Sequence, residues 1–135
     1  MSIFDTILEA LKEAELSFTE DKENGTIRFH IQSKGLYRVL YVVYEENECM
    51  FCVAAFPLSV PAEKIEQAYA KINQMNEDYL FATMLLDSED GTLSCRVSCL
   101  VDGGAINQEI VLSGLCAAVK CLDKNYEDLL KLITE

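Results

Sequence analysis

Residues Leu36–Phe56 read LYRVLYVVYEENECMFCVAAF, and the pairing of this stretch decides the fold. Two apolar runs, Leu36–Tyr44 and Cys49–Phe56, flank the polar turn Glu45-Glu46-Asn47-Glu48. Both are rich in β-branched and aromatic residues, so both are expected to be strands. Successive side chains of a strand point to opposite faces. Tyr37, Val39, Tyr41 and Val43 therefore share one face, and Leu40, Val42 and Tyr44 the other. With Tyr44 opposite Cys49, Cys52 and Phe56 join the first set, and Cys49, Phe51 and Val53 the second. Both faces of the hairpin are apolar, whereas an antiparallel sheet commonly needs only one buried face.

The preceding stretch fixes which face is the core. Ile27, Phe29 and Ile31 alternate with Arg28, His30 and Gln32, the pattern of a half-buried strand after the Asn24-Gly25 turn. A three-residue loop, Ser33-Lys34-Gly35, pairs Phe29 with Val39 and Ile31 with Tyr37. Arg38 then falls beside Arg28 and His30 on the outer face. A loop one residue shorter inverts every side chain and puts Arg38 among the hydrophobes. Upstream, Ile3, Phe4, Ile7, Leu8 and Leu11 recur at helical spacing behind Ser2 and Asp5, which predicts a helix over Ile3–Glu15.

Downstream, Pro61 suits the first position of a second helix, whose apolar stripe is Ile65, Ala68, Tyr69, Ile72 and Met75. Strand Tyr79–Leu86, a turn at Asp87–Gly91 and strand Thr92–Val101 follow. The last strand alternates Leu93, Cys95, Val97, Cys99 and Val101 with Thr92, Ser94, Arg96 and Ser98. A final helical pattern runs from Ile106 to Ile133, with weak points at Gly114 and Asn125. Short turns make neighbouring strands antiparallel. The expected class is α+β: a five-stranded antiparallel sheet with helices on one face, in the order αβββαββα, over residues 1–135 as a single domain.

The formal charge is −12, from 23 acidic residues against 11 Lys and Arg. Nucleic acid and anionic lipid both demand clustered cations, and the basic residues are scattered singly along the sequence. No nucleic-acid partner is expected. No apolar run approaches the roughly 20 residues of a membrane span, and the N-terminus lacks a basic leader. The six cysteines sit among hydrophobes, where a free thiol behaves as a small apolar residue. Reduced thiols and a cytoplasmic location are expected.

Catalytic and metal-binding patterns are not found in the sequence. Cys49 and Cys52 are three apart in a strand and point to opposite faces, so they cannot share a zinc ion. Cys95 and Cys99 share a face but lie in an apolar row. His30 is the one histidine, with no nucleophile or orienting acid at a recognisable spacing. Asp87–Gly91 has its glycine one place early for a calcium loop. Gly103-Gly104 ahead of a helix offers at most a weak anion site. No cofactor, no metal and no enzyme activity are expected.

The run from Ala55 to Gly104, AFPLSVPAEKIEQAYAKINQMNEDYLFATMLLDSEDGTLSCRVSCLVDGG, resembles the YbjN family, whose fold is similar to the type III secretion chaperones. The proline-marked start of helix two, Ile72–Asn76 at its end, the strand closing into Glu89-Asp90-Gly91 and the arginine-bearing return strand carry the resemblance. It implies a domain that usually dimerises and has a protein-binding or regulatory role, sometimes described as sensory transduction regulation, with no catalytic residues. Asn73 and Asn76 match its motif and are read as structural, capping helix two and shaping the turn beyond.

Three helices can cover one face of such a sheet. The other is expected to expose Leu40, Val42, Tyr44, Phe51, Val53, Leu80, Met84 and Leu86 as an association surface, a patch larger than a monomer normally leaves open. Burying roughly 500 Å² of it is worth about 12 kcal/mol before association costs. A second copy is the first expected cover, making a homodimer. A partner protein or one of the chain's own helices are the others. The alternative function is a small-molecule sensor with its ligand between sheet and helices, suggested by Tyr37, Tyr41 and Tyr69.

Overall fold

The protein is described by a computed structural model covering residues 2–101 and 106–135. The glycine pair Gly103-Gly104 lies outside the described residues. Helix α1, Ile3–Glu13, begins where Ser2 Oγ accepts the Asp5 N–H at 3.0 Å. Its next two free N–H groups, those of Ile3 and Phe4, donate to the Glu45 carboxylate at 3.0 Å each. An acid at a helix N-terminus meets both orphan donors and the positive end of the helix dipole. Glu45 comes from the turn of the hairpin, so this cap also ties α1 to the sheet.

One antiparallel sheet follows the order β1-β2-β3-β4-β6-β5. Its strands are β1 (Thr19–Asp21), β2 (Thr26–Gln32), β3 (Leu36–Tyr44), β4 (Cys49–Ser59), β5 (Ala82–Leu86) and β6 (Thr92–Leu100). The short β1, just after Phe18, makes six strands rather than the expected five. Phe29 pairs with Val39 and Ile31 with Tyr37, as the loop-length argument required, and Tyr44 lies opposite Cys49. Tyr37, Val39, Tyr41 and Val43 are buried, joined by Met50, Cys52, Ala54 and Phe56 of β4.

Strand β4 runs past the expected end at Phe56 because its pairing with β6 slips: Ala55 faces Ser94, but Ser59 faces Thr92. Phe56, inward by alternation with Cys52 and Ala54, packs on the Tyr126 ring, 5.1 Å between centroids. Beyond the slip, Val60 N–H donates to Gly91 O at 2.8 Å. Gly91 has φ +77°, and a Cβ there would lie 2.2 Å from Val60 O, so only glycine closes this hairpin.

Pro61 precedes a single 3-10 turn, Ala62–Lys64, and helix α2 begins later than expected, at Ile65, ending at Asn76. The last helical stretch divides at Asn125 into α3 (Gln108–Lys124) and α4 (Tyr126–Thr134). There Asn125 Nδ2 donates to Cys121 O at 2.8 Å and to the Tyr79 hydroxyl at 3.0 Å, a side-chain substitute for continued helix bonding. The bend does not carry α4 round the sheet: α3 and α4 both pack on the face that holds the core. Tyr41 spans that layer, its hydroxyl donating to Val111 O at 2.9 Å.

Candidate association surface

Among the described residues, no helix covers the outer face of the sheet. Its register assembles rows across the strands. One row reads Thr26, Val42, Phe51, Ser98; the next Arg28, Leu40, Val53, Arg96, Thr83; the third His30, Arg38, Ala55, Ser94, Leu85. Leu40, Val42, Phe51 and Val53 form its half-buried apolar centre, and Tyr44 is exposed at its margin, its ring 6.3 Å from that of Phe51. These five expected residues stand together. The twist of the sheet makes part of this face concave, a shallow trough of about 1000 Å³ lined by Arg28, His30, Arg38, Leu40, Val53 and Ser94 among others.

Three residues expected on this surface are elsewhere. Met84 is buried and Leu86 half-buried on the helix side, opposite Cys95 and Leu93. Leu80 is almost fully exposed, but it precedes β5, which starts at Ala82 rather than Tyr79. The inversion has a physical cause: this strand is apolar at nearly every position, so alternation could not orient it. Its one polar side chain, Thr83, faces out and was the available marker. Leu85 takes the outward place. Leu80 and Phe81 sit at the end of the sheet where β6 finishes in the exposed Leu100. Leu100 closes a further row of the outer face, Tyr44, Cys49, Leu100; of the exposed residues here, Leu80 and Tyr44 are among those expected from the sequence, and Phe81 and Leu100 are not.

Of the motif asparagines, Asn76 binds both backbone groups of Met84, and Asn73 is exposed on α2 with no side-chain hydrogen bond among the described residues. The first shapes the link to β5 as expected, though through β5 itself rather than as a helix cap.

Tyr37 and Tyr41 are buried, with hydroxyls held by Asp123 at 2.6 Å and Val111 O at 2.9 Å, while Tyr69 is exposed on α2. Burial, and for Tyr37 also the bond to Asp123, pushes both phenols well above their ordinary range. Among the described residues no group of three or more His, Cys, Asp or Glu could hold a metal ion. Among them, too, no helix is long and apolar enough to cross a membrane.

Residues 4–117 match the family YbjN, described as "Putative bacterial sensory transduction regulator". The chain belongs to the YbjN family. Among solved structures the fold is similar to YbjN from E. coli, at 16% identity and TM-score 0.69, covering 93% of this chain and 92% of that one. It is also similar to a chain of the HopA1–SchA chaperone–effector complex, at 11% identity and TM-score 0.63, with 89% of each chain covered. A chain of the ExsC–ExsE complex matches at 14% identity and TM-score 0.64, covering 89% of this chain and 90% of that one. At these identities the likeness concerns the fold, which is type III chaperone-like. No curated protein matches the sequence.

Proposed function

We propose that residues 1–135 act as one non-enzymatic, cytoplasmic protein-binding or regulatory domain that works as a homodimer. The observation that carries this is the uncovered apolar centre of the sheet, Leu40, Val42, Phe51 and Val53, on a chain whose own helices all pack elsewhere. Family membership supports a regulatory role, and two of the similar folds occur in protein–protein complexes. The exposed Leu100 belongs to the same outer face, in the row Tyr44, Cys49, Leu100 at its far edge, with Leu80 and Phe81 exposed just before β5. A homodimer and a partner can use different parts of that face.

The test is molar mass by light scattering on a sizing column, over a dilution series, for wild type, Val42→Asp and Leu100→Asp. A dimer of twice 15.2 kDa that one variant dissociates is expected, and the dissociating variant names the dimer surface. A folded monomer at every concentration removes the homodimer. Protein binding is tested separately by recovering partners on tagged wild type and Val42→Asp. A specific protein held by the first and lost by the second is expected; none with either removes the binding role.

A further inference from the structure

The outer face has a charge character opposite to that of the whole chain. Strands β2 to β6 contain no Asp, Glu or Lys. They contain all three arginines of the protein, Arg28, Arg38 and Arg96, and its single histidine, His30. By register all four lie on the outer face. Arg28 and Arg96 bracket the Leu40–Val53 pair in one row, and Arg38 stands beside His30 in the next. Arg96 also lies over the Phe51 ring, 5.5 Å from its centroid. Among the described residues none of the three is in an ion pair; the two that occur are Lys22–Asp5 and Lys34–Glu127. The acids of this face lie at its margins: Asp21, opposite Thr26 on the edge strand β1, is bonded to Asn24, and Asp87 and Asp90 of the β5–β6 turn, beside Arg38, accept from the Glu89 and Thr92 N–H groups.

Solubility alone does not account for this. Elsewhere the chain solvates itself with acids, which outnumber bases by about two to one. Here it uses only arginine, whose planar fork binds a carboxylate through two parallel hydrogen bonds. We propose that the outer sheet face binds an acidic, apolar-rich segment of a partner protein. Its apolar side chains cover Leu40, Val42, Phe51 and Val53, and its carboxylates reach Arg28, Arg38 and Arg96. Across three strand intervals Arg28 and Arg96 are about 14 Å apart, which sets the spacing of two carboxylates astride an apolar residue. This rests on the protein-binding reading above and narrows it. A second copy is a poorer occupant, because two such faces together bring six arginines against only the marginal carboxylates, Asp21, Asp87 and Asp90, each already hydrogen-bonded within its own turn. The homodimer then falls to the margin away from the arginines, where Leu80, Phe81 and Leu100 are exposed.

The probes are three labelled synthetic peptides of about 20 residues, a length that spans the face, followed by fluorescence anisotropy. One carries Leu or Phe at every i+2 between Glu at i and i+4, with Ser at the intervening positions, so that the carboxylates and the apolar side chains share one face; the others carry Gln or Lys in place of every Glu. A single-stranded oligonucleotide is the fourth probe. The Glu peptide is expected to bind at least tenfold tighter than the Gln peptide, to weaken with added salt, and to lose about tenfold or more with Arg28→Gln/Arg38→Gln/Arg96→Gln. Arg→Lys at the same three positions keeps the charge without the fork and falls between. Circular dichroism checks that the variants are folded.

Equal binding of Glu and Gln peptides overturns the charge assignment while leaving the protein-binding reading standing. So does binding that the arginine variants do not change. Oligonucleotide binding as tight as the Glu peptide, a wild-type dimer dissociated by Val42→Asp, or no peptide bound at all each overturns it as well. In the last case, partner recovery on the tagged chain decides the broader reading independently.

Discussion

The Asn76 side chain is bonded to both backbone groups of Met84. Its Nδ2 donates to Met84 O at 3.1 Å, and its Oδ1 accepts Met84 N–H at 2.6 Å. The amide thus imitates a neighbouring strand residue along the outer edge of β5. Free edges are templates for unwanted pairing, and a side chain that occupies the middle of one blunts it.

Asn76→Ala leaves two backbone groups of a buried residue without their partner. It is expected to cost about 2–3 kcal/mol in urea unfolding. Asn73→Ala, three residues earlier and exposed, is expected to stay within about 0.5 kcal/mol. Equal costs at the two positions contradict the assignment of the edge contact to Asn76.

Asp123 joins α3 to the β2–β3 turn. It accepts from Ser33 Oγ at 2.5 Å, Tyr37 Oη at 2.6 Å and Lys34 N–H at 3.1 Å. Burial alone raises its pKa, but these donors outweigh burial and hold the carboxyl below its usual range. The ionised form therefore favours the folded state. That contribution is full above the unfolded carboxylate pKa, about 4, and disappears as pH falls through the lower folded value. Asp123→Asn is expected to lose about 1–2 kcal/mol at pH 7, with the gap to wild type closing in acid. Urea midpoints at neutral pH and in a series below pH 4 measure this; a gap that widens in acid contradicts it.

Gly35 sits where Tyr126 needs room. A Cβ there would lie 2.7 Å from Tyr126 Cε2 and 3.1 Å from Tyr37 Cε1. Tyr126 is held in turn against Phe56. Gly35→Ala is expected to destabilise by about 1–3 kcal/mol. In a Tyr126→Ala background the same change should cost clearly less, a coupling that a double-mutant cycle reads directly.

The six thiols divide by accessibility. Cys116 is exposed, Cys49 and Cys99 are half-buried, and Cys52, Cys95 and Cys121 are buried. Burial pushes the Cys52 thiol up to about 12. Cys95 is raised by its hydrogen bond to Cys121 and by burial. Since the thiolate is the reactive form, a disulfide reagent at pH 8 is expected to modify Cys116 first, Cys49 and Cys99 more slowly, and the other three only after denaturation. Rapid modification of Cys52 in the folded protein contradicts this packing.

Where charge punctuated the pattern, the sequence was legible in detail. Arg28, His30 and Arg38 oriented β2 and β3, while β4, apolar on both faces, had its register only supposed. Where it did not, as in the apolar run Leu80–Leu86, the faces came out reversed, and Met84 and Leu86 were assigned to solvent. The slip after Ala55 and the Glu45 cap on α1 left no local signal. Both depend on groups that meet only in the folded chain: Ser59 with Thr92, and the Glu45 carboxylate with the N-terminal turn of α1. The arginine set was visible residue by residue, yet its meaning appeared only when three separate strands brought it onto one face.

The order of elements also governs the protein's first seconds. The sheet is complete once Leu100 is made, but α3 and α4, which supply Val111, Leu115, Ala118, Leu122 and Leu129 to its inner face, come afterwards. At synthesis rates of 5–20 residues per second, the stretch from Val101 to Thr134 takes about 2–7 s. During that interval the inner face has only α1 and α2 against it, and the part that α3 covers is open, along with the outer face. Newborn chains are thus most exposed to aggregation just before they are finished, and strains short of nascent-chain chaperones should lose this protein to inclusion bodies before they lose its folded form.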